Sequence, residues 1–439
     1  MNEFSKLKDV SKLITKGTTP TSVGGSFTEK GINFIKSESI TGSKFLNNSV
    51  FAFIDDSTDL KLKRSRIKTN DLLFSIAGAY LGKISIVQEC DVPANTNQAV
   101  GIVRVDQSLA DVNYLYYYFF QNSVNEYINK LSSQSSQPNL NLELLGNLEF
   151  KSRKLESQQK IATVLSALDD KIELNNQINT ELEAMAKTLY DYWFVQFDFP
   201  DENGKPYQSS GGKMVFNDIL KREIPVGWEV KSLYQIANFI NGLACQKFRP
   251  ENEDDEFLLV IKIREMNDGI SGNTEKVRLN IPEKNIINDG DVLFSWSATL
   301  DVKIWTEGKA GLNQHIFKVI SDKFPRSFYY FETLNYLQHF KMMAELRKTT
   351  MGHITIDHLK ASYIPIPPIE MVKTLDGKLK PILEKVISNK KQNQELAKLR
   401  DWLLPMLMNG QVRVGSGEYE REEDGLGMVG EGKREYKKI

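Results

Sequence analysis

Between residues 161 and 193 the chain returns to one face by alternating steps of four and three: Ile161, Leu165, Leu168, Ile172, Asn175, Asn179, Leu182, Ala186, Leu189, Trp193. The same series recurs 214 residues later as Leu375, Leu379, Ile382, Val386, Asn389, Asn393, Leu396, Arg400, Leu403, Leu407. An apolar residue every 3.5 positions over more than four heptads predicts a coiled-coil seam rather than an ordinary amphipathic surface helix. Two long helices are therefore expected to pack on each other, the first rising about 48 Å from Ile161 to Trp193. Both copies break the seam with asparagine at the same two steps, a device that fixes register at some cost in stability. Gly377, Pro381 and Pro405 interrupt the second helix. Proline is tolerated in a first turn but not further in, so the regular part is expected to begin at Pro381.

Ahead of each helix the pattern changes to short Val-, Ile- and Phe-rich runs between Gly, Asn, Asp and Ser breakers: INFI, DLLFSI, ISIV and AVGIVRV, then LLVIKI, DVLFSW and IFKVI. Each set ends in an aromatic helical stretch, Tyr114 to Leu131 and Phe328 to Leu346. This is the signature of an α+β domain on a curved, mainly antiparallel sheet. The runs also repeat in order: NDLLFSIAGAYLGKI answers GDVLFSWSATLDVKI, and NQAVGIVRV answers NQHIFKVIS. The expected organisation is two tandem homologous modules, 1–153 and 228–368, each followed by a helix, 154–196 and 369–410. The helices pair as an antiparallel coiled coil with pseudo-twofold symmetry. A Gly- and Pro-rich linker, 197–227, joins the halves, and the charged stretch 411–439 is expected to be disordered.

Composition narrows the classes. With 439 residues, 41% hydrophobic and 26% charged, the chain is of soluble globular type and long enough for two cores. No run of 18 apolar residues occurs, so no membrane partner and a cytoplasmic location are expected. Cys90 and Cys245 lie in different repeats without metal-like spacing and read as buried free thiols. The net charge of −1 gives no global pull towards nucleic acid, so any such contact must come from local charge.

The phrases FIKSESI (34–40), NDLLFS (70–75), ESQQKIATVLSALDDKI (156–172), YDYWFVQFDFPDENGKPY (190–207) and LRDWLLPMLMNG (399–410) resemble the specificity (S) subunit of type I DNA restriction-modification systems. The resemblance runs to about Gln411 and is strongest in the helices and linker. It implies a non-catalytic subunit, bacterial or archaeal, whose modules are target recognition domains, each reading one half of a bipartite double-stranded DNA site. It implies that the helices set the gap and bind two modification (methyltransferase) subunits, with restriction (helicase-nuclease) subunits joining the complex. No cofactor would be held by this chain. S-adenosylmethionine would belong to the modification subunit, ATP and Mg to the restriction subunit.

On that reading, the segment KLKRSRIK offers five cations and no acid in eight residues, Lys61, Lys63, Arg64, Arg66 and Lys68, enough to neutralise several phosphates. A solvated basic edge strand is the bland alternative. Its nearest counterparts in the second module are Lys262, Arg264, Arg347 and Lys348. Base readout needs amides, hydroxyls and guanidiniums on exposed loops. The candidates are Thr18, Thr19 and Thr21, then Tyr80, Gln134, Gln137 and Asn139, with Thr299, Thr349 and His353 in the second half. Tyr190, Trp193 and Phe194 close the first helix and Trp402 and Leu403 the second, an apolar surface expected to dock the partner subunits.

Enzymatic motifs fail on inspection. Asp291, Asp301 and Lys303 have nuclease-like spacing, but the first copy keeps Asp71 and Lys83 with Leu81 between them, so the aspartates read as turn formers. All four histidines lie in the second half without a zinc spacing, and GLGMVG (425–430) follows no strand. No catalytic or metal residue is expected. The alternative function is a coiled-coil scaffold with paired protein- or glycan-binding domains.

Overall fold

The computed structural model describes residues 3–132, 139–252, 254–346 and 353–415. It divides into two compact units, one gathering residues up to Glu173 with those from Glu395 on, the other spanning Leu174–Gln394. The division cuts across both long helices, so each unit is built from one module and a piece of each helix.

The first unit carries a four-stranded antiparallel sheet in the order Ser11–Lys16, Val100–Val105, Asp71–Ser75, Ile84–Ile86. In the second unit Asn238–Asn241, Ile316–Ile320, Val292–Ser295 and Asp301–Ile304 follow the same order. A smaller sheet accompanies each, and in both it contains one parallel pair: Ile32–Ile35 with Ala94–Thr96, and Phe257–Ile261 with Ala310–Leu312. The strands that open the repeated phrase, Asp71–Ser75 and Val292–Ser295, are buried along their whole length, which is why they read as continuous apolar runs instead of alternating.

The aspartate that opens this strand serves the fold. Asp71 accepts the Lys68 backbone N–H at 2.8 Å and is gripped by Arg104 through Nε and Nη2 at 2.8 and 2.7 Å. Asp291 repeats this, accepting the Asn288 N–H at 2.8 Å and pairing with Lys318 at 2.9 Å. Asp301 sits at the other end of the same hairpin, where it faces Ser295 while Val292 faces Ile304. Two carboxylates at opposite ends of a four-residue strand cannot share a metal ion.

The first long helix spans Leu155–Tyr190 and ends in a π-helical turn, Asp191–Val195. The second runs without a break over Ile369–Asn409, so the expected start at Pro381 is too late. Pro381 lacks the N–H that would reach the carbonyl of Gly377 four residues earlier, and that glycine stands in open space, where the carbonyl can tilt away from the proline ring. The helices are antiparallel. In the first unit Asp169 accepts from Arg400 Nη1 and from the Tyr117 hydroxyl, both at 2.7 Å. In the second, Asn175 donates to Asn393 at 2.8 Å, Asn389 donates to Asn179 at 2.9 Å, and Glu183 pairs with Lys390 at 2.8 Å.

Two further expectations are corrected. Cys245 is buried but Cys90 is exposed. Tyr190, Trp193 and Phe194 offer no docking surface: they lie in the core of the second unit, where Phe194 packs edge-on to Trp228 and Tyr190 stacks on Phe331. The linker joins the same core. Phe197 and Phe199 are buried against the same Trp228, and Tyr207 stacks on Phe199 at 4.6 Å.

Candidate nucleic-acid interface

In both units the same loops meet at the end of the large sheet away from Asp71 and Asp291. The first strand runs into a glycine, Gly17 or Gly242, whose backbone lies so close to the neighbouring loop that no side chain fits. A Cβ would stand 2.1 Å from the Thr96 carbonyl oxygen in one case and 2.1 Å from that of Asn313 in the other. The neighbouring loop carries the dipeptide Asn-Gln in both copies. Asn97 accepts the Ala99 N–H at 3.1 Å, and Asn313 the His315 N–H at 3.3 Å, so this carboxamide holds the turn. The third contributor follows the repeated strand: Ile76 N–H donates to the Ala99 carbonyl, and Trp296 N–H to that of His315. A fourth comes from the segment after the aromatic helix, where Leu140 N–H reaches the Ile76 carbonyl and Ile354 N–H that of Trp296, both at 2.9 Å.

Several expected residues converge here in the first unit. Arg64 Nη2 donates to the Thr18 hydroxyl at 3.0 Å, the Thr19 hydroxyl donates to Gln98 Oε1, and Lys61 Nζ reaches the Gly24 carbonyl at 3.3 Å. Thr21 is exposed, Asn139 bridges to Ala77, and Lys83 lies over the Tyr80 ring at 5.0 Å. The basic segment is a helix end followed by a 3-10 turn, Lys63–Ser65, and not an edge strand. It does not act as one stripe. Lys61, Lys63 and Arg64 are exposed beside the loops, whereas Lys68 lies at the Asp71 end of the strand. Arg66 turns to Asp59, and that bond raises its pKa despite the opposing cost of burial.

The second unit differs. His353 and His315 flank Trp296, each with its ring centroid 5.5 Å away, and Trp296 Nε1 donates to Asn241 at 3.2 Å. Thr299 is exposed next to Ala298, whose φ of 54° matches the left-handed Gly78 of the first copy. Lys262 and Arg264 are not counterparts of the basic segment. Lys262 is bonded to Glu275 at 2.6 Å, holding that carboxyl below its ordinary range, and Arg264 lies on buried Glu265. The true counterpart is the 3-10 turn Glu283–Asn285: Ile287 after it pairs with Ala310, as Ile67 bridges to Ala94. Lys63 and Arg64 thus answer to Glu283 and Lys284. Gln134, Gln137, Arg347, Lys348 and Thr349 lie outside the described residues.

Sequence reasoning overlooked Gln98 and Gln314. The signal was present, since Asn-Gln opens the same strand in both copies.

Each unit thus carries the same α+β module, a piece of both long helices and the same polar loop cluster. A family model described as "Type I restriction modification DNA specificity domain" matches residues 2–184 and 225–398, and the chain belongs to that family. It is thus the DNA specificity component of a type I restriction-modification system, itself non-catalytic, and the scaffold alternative falls away. Relatives include the type I restriction enzyme MjaIX specificity subunit of Methanocaldococcus jannaschii, 27% identical, covering 94% of each chain. The HindI specificity subunit of Haemophilus influenzae is 24% identical over 86% of this chain and 94% of its own. A crystal structure of the S subunit from M. genitalium shares the fold at a TM-score of 0.54 and 14% identity, covering 92% of this chain and 95% of that one. Among the described residues no helix is long and apolar enough to cross a membrane.

Proposed function

We propose that each module, 1–153 and 228–368, reads one half of a bipartite duplex-DNA site, and that the paired helices set the gap between the halves. The observation that carries this reading is the loop cluster built twice on the same glycine and Asn-Gln turn, with different side chains around it. A shared scaffold with divergent polar rims suits two different half-sites. Two modification subunits, supplied with S-adenosylmethionine, would act on the bound site, and restriction subunits using ATP and Mg would complete the complex in the cytoplasm. For docking, the last turns of the second helix present Trp402, 55% exposed, with Leu399 at 43% and half-buried Leu403 beside it. An apolar patch of this kind on a charged helix fits a partner subunit.

The test is selection from a randomised duplex library by the purified chain with its modification subunits. Two short fixed blocks separated by a gap of constant length and free sequence are expected. A single contiguous block, or no enrichment, would overturn the reading.

A further inference from the structure

We propose that Gln98 and Gln314 are specificity-determining residues that read equivalent base pairs, one in each half-site. This rests on the reading of the modules as half-site readers. The two amides of each Asn-Gln turn have divided roles. Asn97 and Asn313 are turned inwards onto backbone N–H groups, while Gln98 is exposed and Gln314 half-exposed at the meeting point of the loops. Among the described residues the side-chain partners of the two glutamines differ, so no shared contact accounts for glutamine at both positions. The Gln98 carboxamide accepts from the Thr19 hydroxyl, whereas Gln314 Nε2 meets His315 Nε2 at 3.3 Å, and residue 99, in the place of His315, is an alanine. The in-chain partner has changed while the glutamine and the glycine-backed turn beneath it have not. What the two positions share is an oriented donor and acceptor on a rigid loop.

A carboxamide presents one donor and one acceptor side by side, the complement of adenine N7 and N6–H in the major groove. Both half-sites should therefore carry an A·T pair at the position facing this glutamine. The remaining positions should differ, because the rim around Gln98 holds Thr18, Arg64 and Asn139 while that around Gln314 holds Trp296, His315 and His353.

The experiment is the same library selection, run with Gln98→Ala, Gln98→Glu and Gln314→Ala in the full chain bound to its modification subunits. Gln98→Ala should erase an A·T preference at one position of one half-site, by roughly 5- to 150-fold, leaving the other half-site intact. Gln314→Ala should do the same in the other half-site only. Gln98→Glu should move the preference from A·T to C·G, since a carboxylate accepts from the cytosine amino group. Unchanged base preference at every position, or an even loss across all sequences with an unchanged melting temperature, would overturn the proposal while leaving the half-site reading intact. Failure of the wild-type chain to select a bipartite site would overturn that reading first, and the proposal with it.

Discussion

The carboxyl group of Glu332 is buried in the second unit, where it accepts the Tyr190 hydroxyl at 2.6 Å. Burial pushes its pKa up to about 7, a rise that the Tyr190 hydrogen bond and the Arg222 charge offset only in part. Asp191 adds to the rise and Lys187 opposes it. A carboxyl that holds its proton more firmly folded than unfolded favours the folded state fully below its unfolded pKa, about 4.3. That advantage is lost as pH rises through 7. The loss amounts to on the order of 3 kcal/mol when complete. Glu332→Gln keeps an acceptor for Tyr190 and removes the charge. Melting temperatures of the variant should fall less between about pH 5 and 8 than those of the wild-type chain; parallel curves would show that the charged carboxyl is not the cause. The same contact explains why the aromatic end of the first helix could not be judged from sequence. Tyr190 and Trp193 have the composition of an interface, and only the position of Phe328, Phe331 and Trp228 around them shows that this chain covers them itself.

At the level of elements, what carries a period was legible and what depends on pairing register was not. The heptads gave both helices, and the repeated runs gave the central strands of both sheets in order. The counterpart of the basic segment was misplaced. Matching cations by residue type leads to Lys262 and Arg264, whereas the strand pairs Ile67–Ala94 and Ile287–Ala310 lead to Glu283 and Lys284. The two turns are electrostatically unequal, with Lys61, Lys63 and Arg64 exposed in one and a single lysine beside a glutamate in the other. Each phosphate neutralised adds about 0.9 to the slope of log affinity against log salt. Replacing Lys61, Lys63 and Arg64 by serine should therefore lower that slope by roughly two to three and weaken binding to all sequences alike. Lys284→Ser should lower it by about one at most. Equal slopes for the two variants in a salt titration would mean that the first module is not the stronger electrostatic anchor.

At the scale of the whole molecule, the duplication is written into the seam. The 214-residue offset turns the contact Asn175–Asn393 into Asn389–Asn179, so the two asparagine pairs are one interaction made twice, as an antiparallel pair with a local twofold requires. Seam register is thereby fixed, because a slip by one heptad would break both asparagine pairs, setting the four side chains against Val386, Ile382, Ile172 and Leu168 in one direction and against Arg400, Leu396, Ala186 and Leu182 in the other. The register also dictates how the helices can be lengthened. It places residue 172 opposite residue 396, so one heptad inserted between Ile172 and Glu173 must be matched by another between Glu395 and Leu396. Insertions that do not face each other would separate the asparagine pairs. Facing heptads lengthen the seam by about 10.5 Å in phase, or about three base pairs at 3.4 Å each. Library selection with this variant should recover both half-site sequences unchanged and a gap wider by about three base pairs. Four residues inserted at the same two places break the heptad phase and should lower the melting temperature and the yield of complex. A heptad variant that assembles normally and keeps the original gap would show that the spacing is set elsewhere than in the helices.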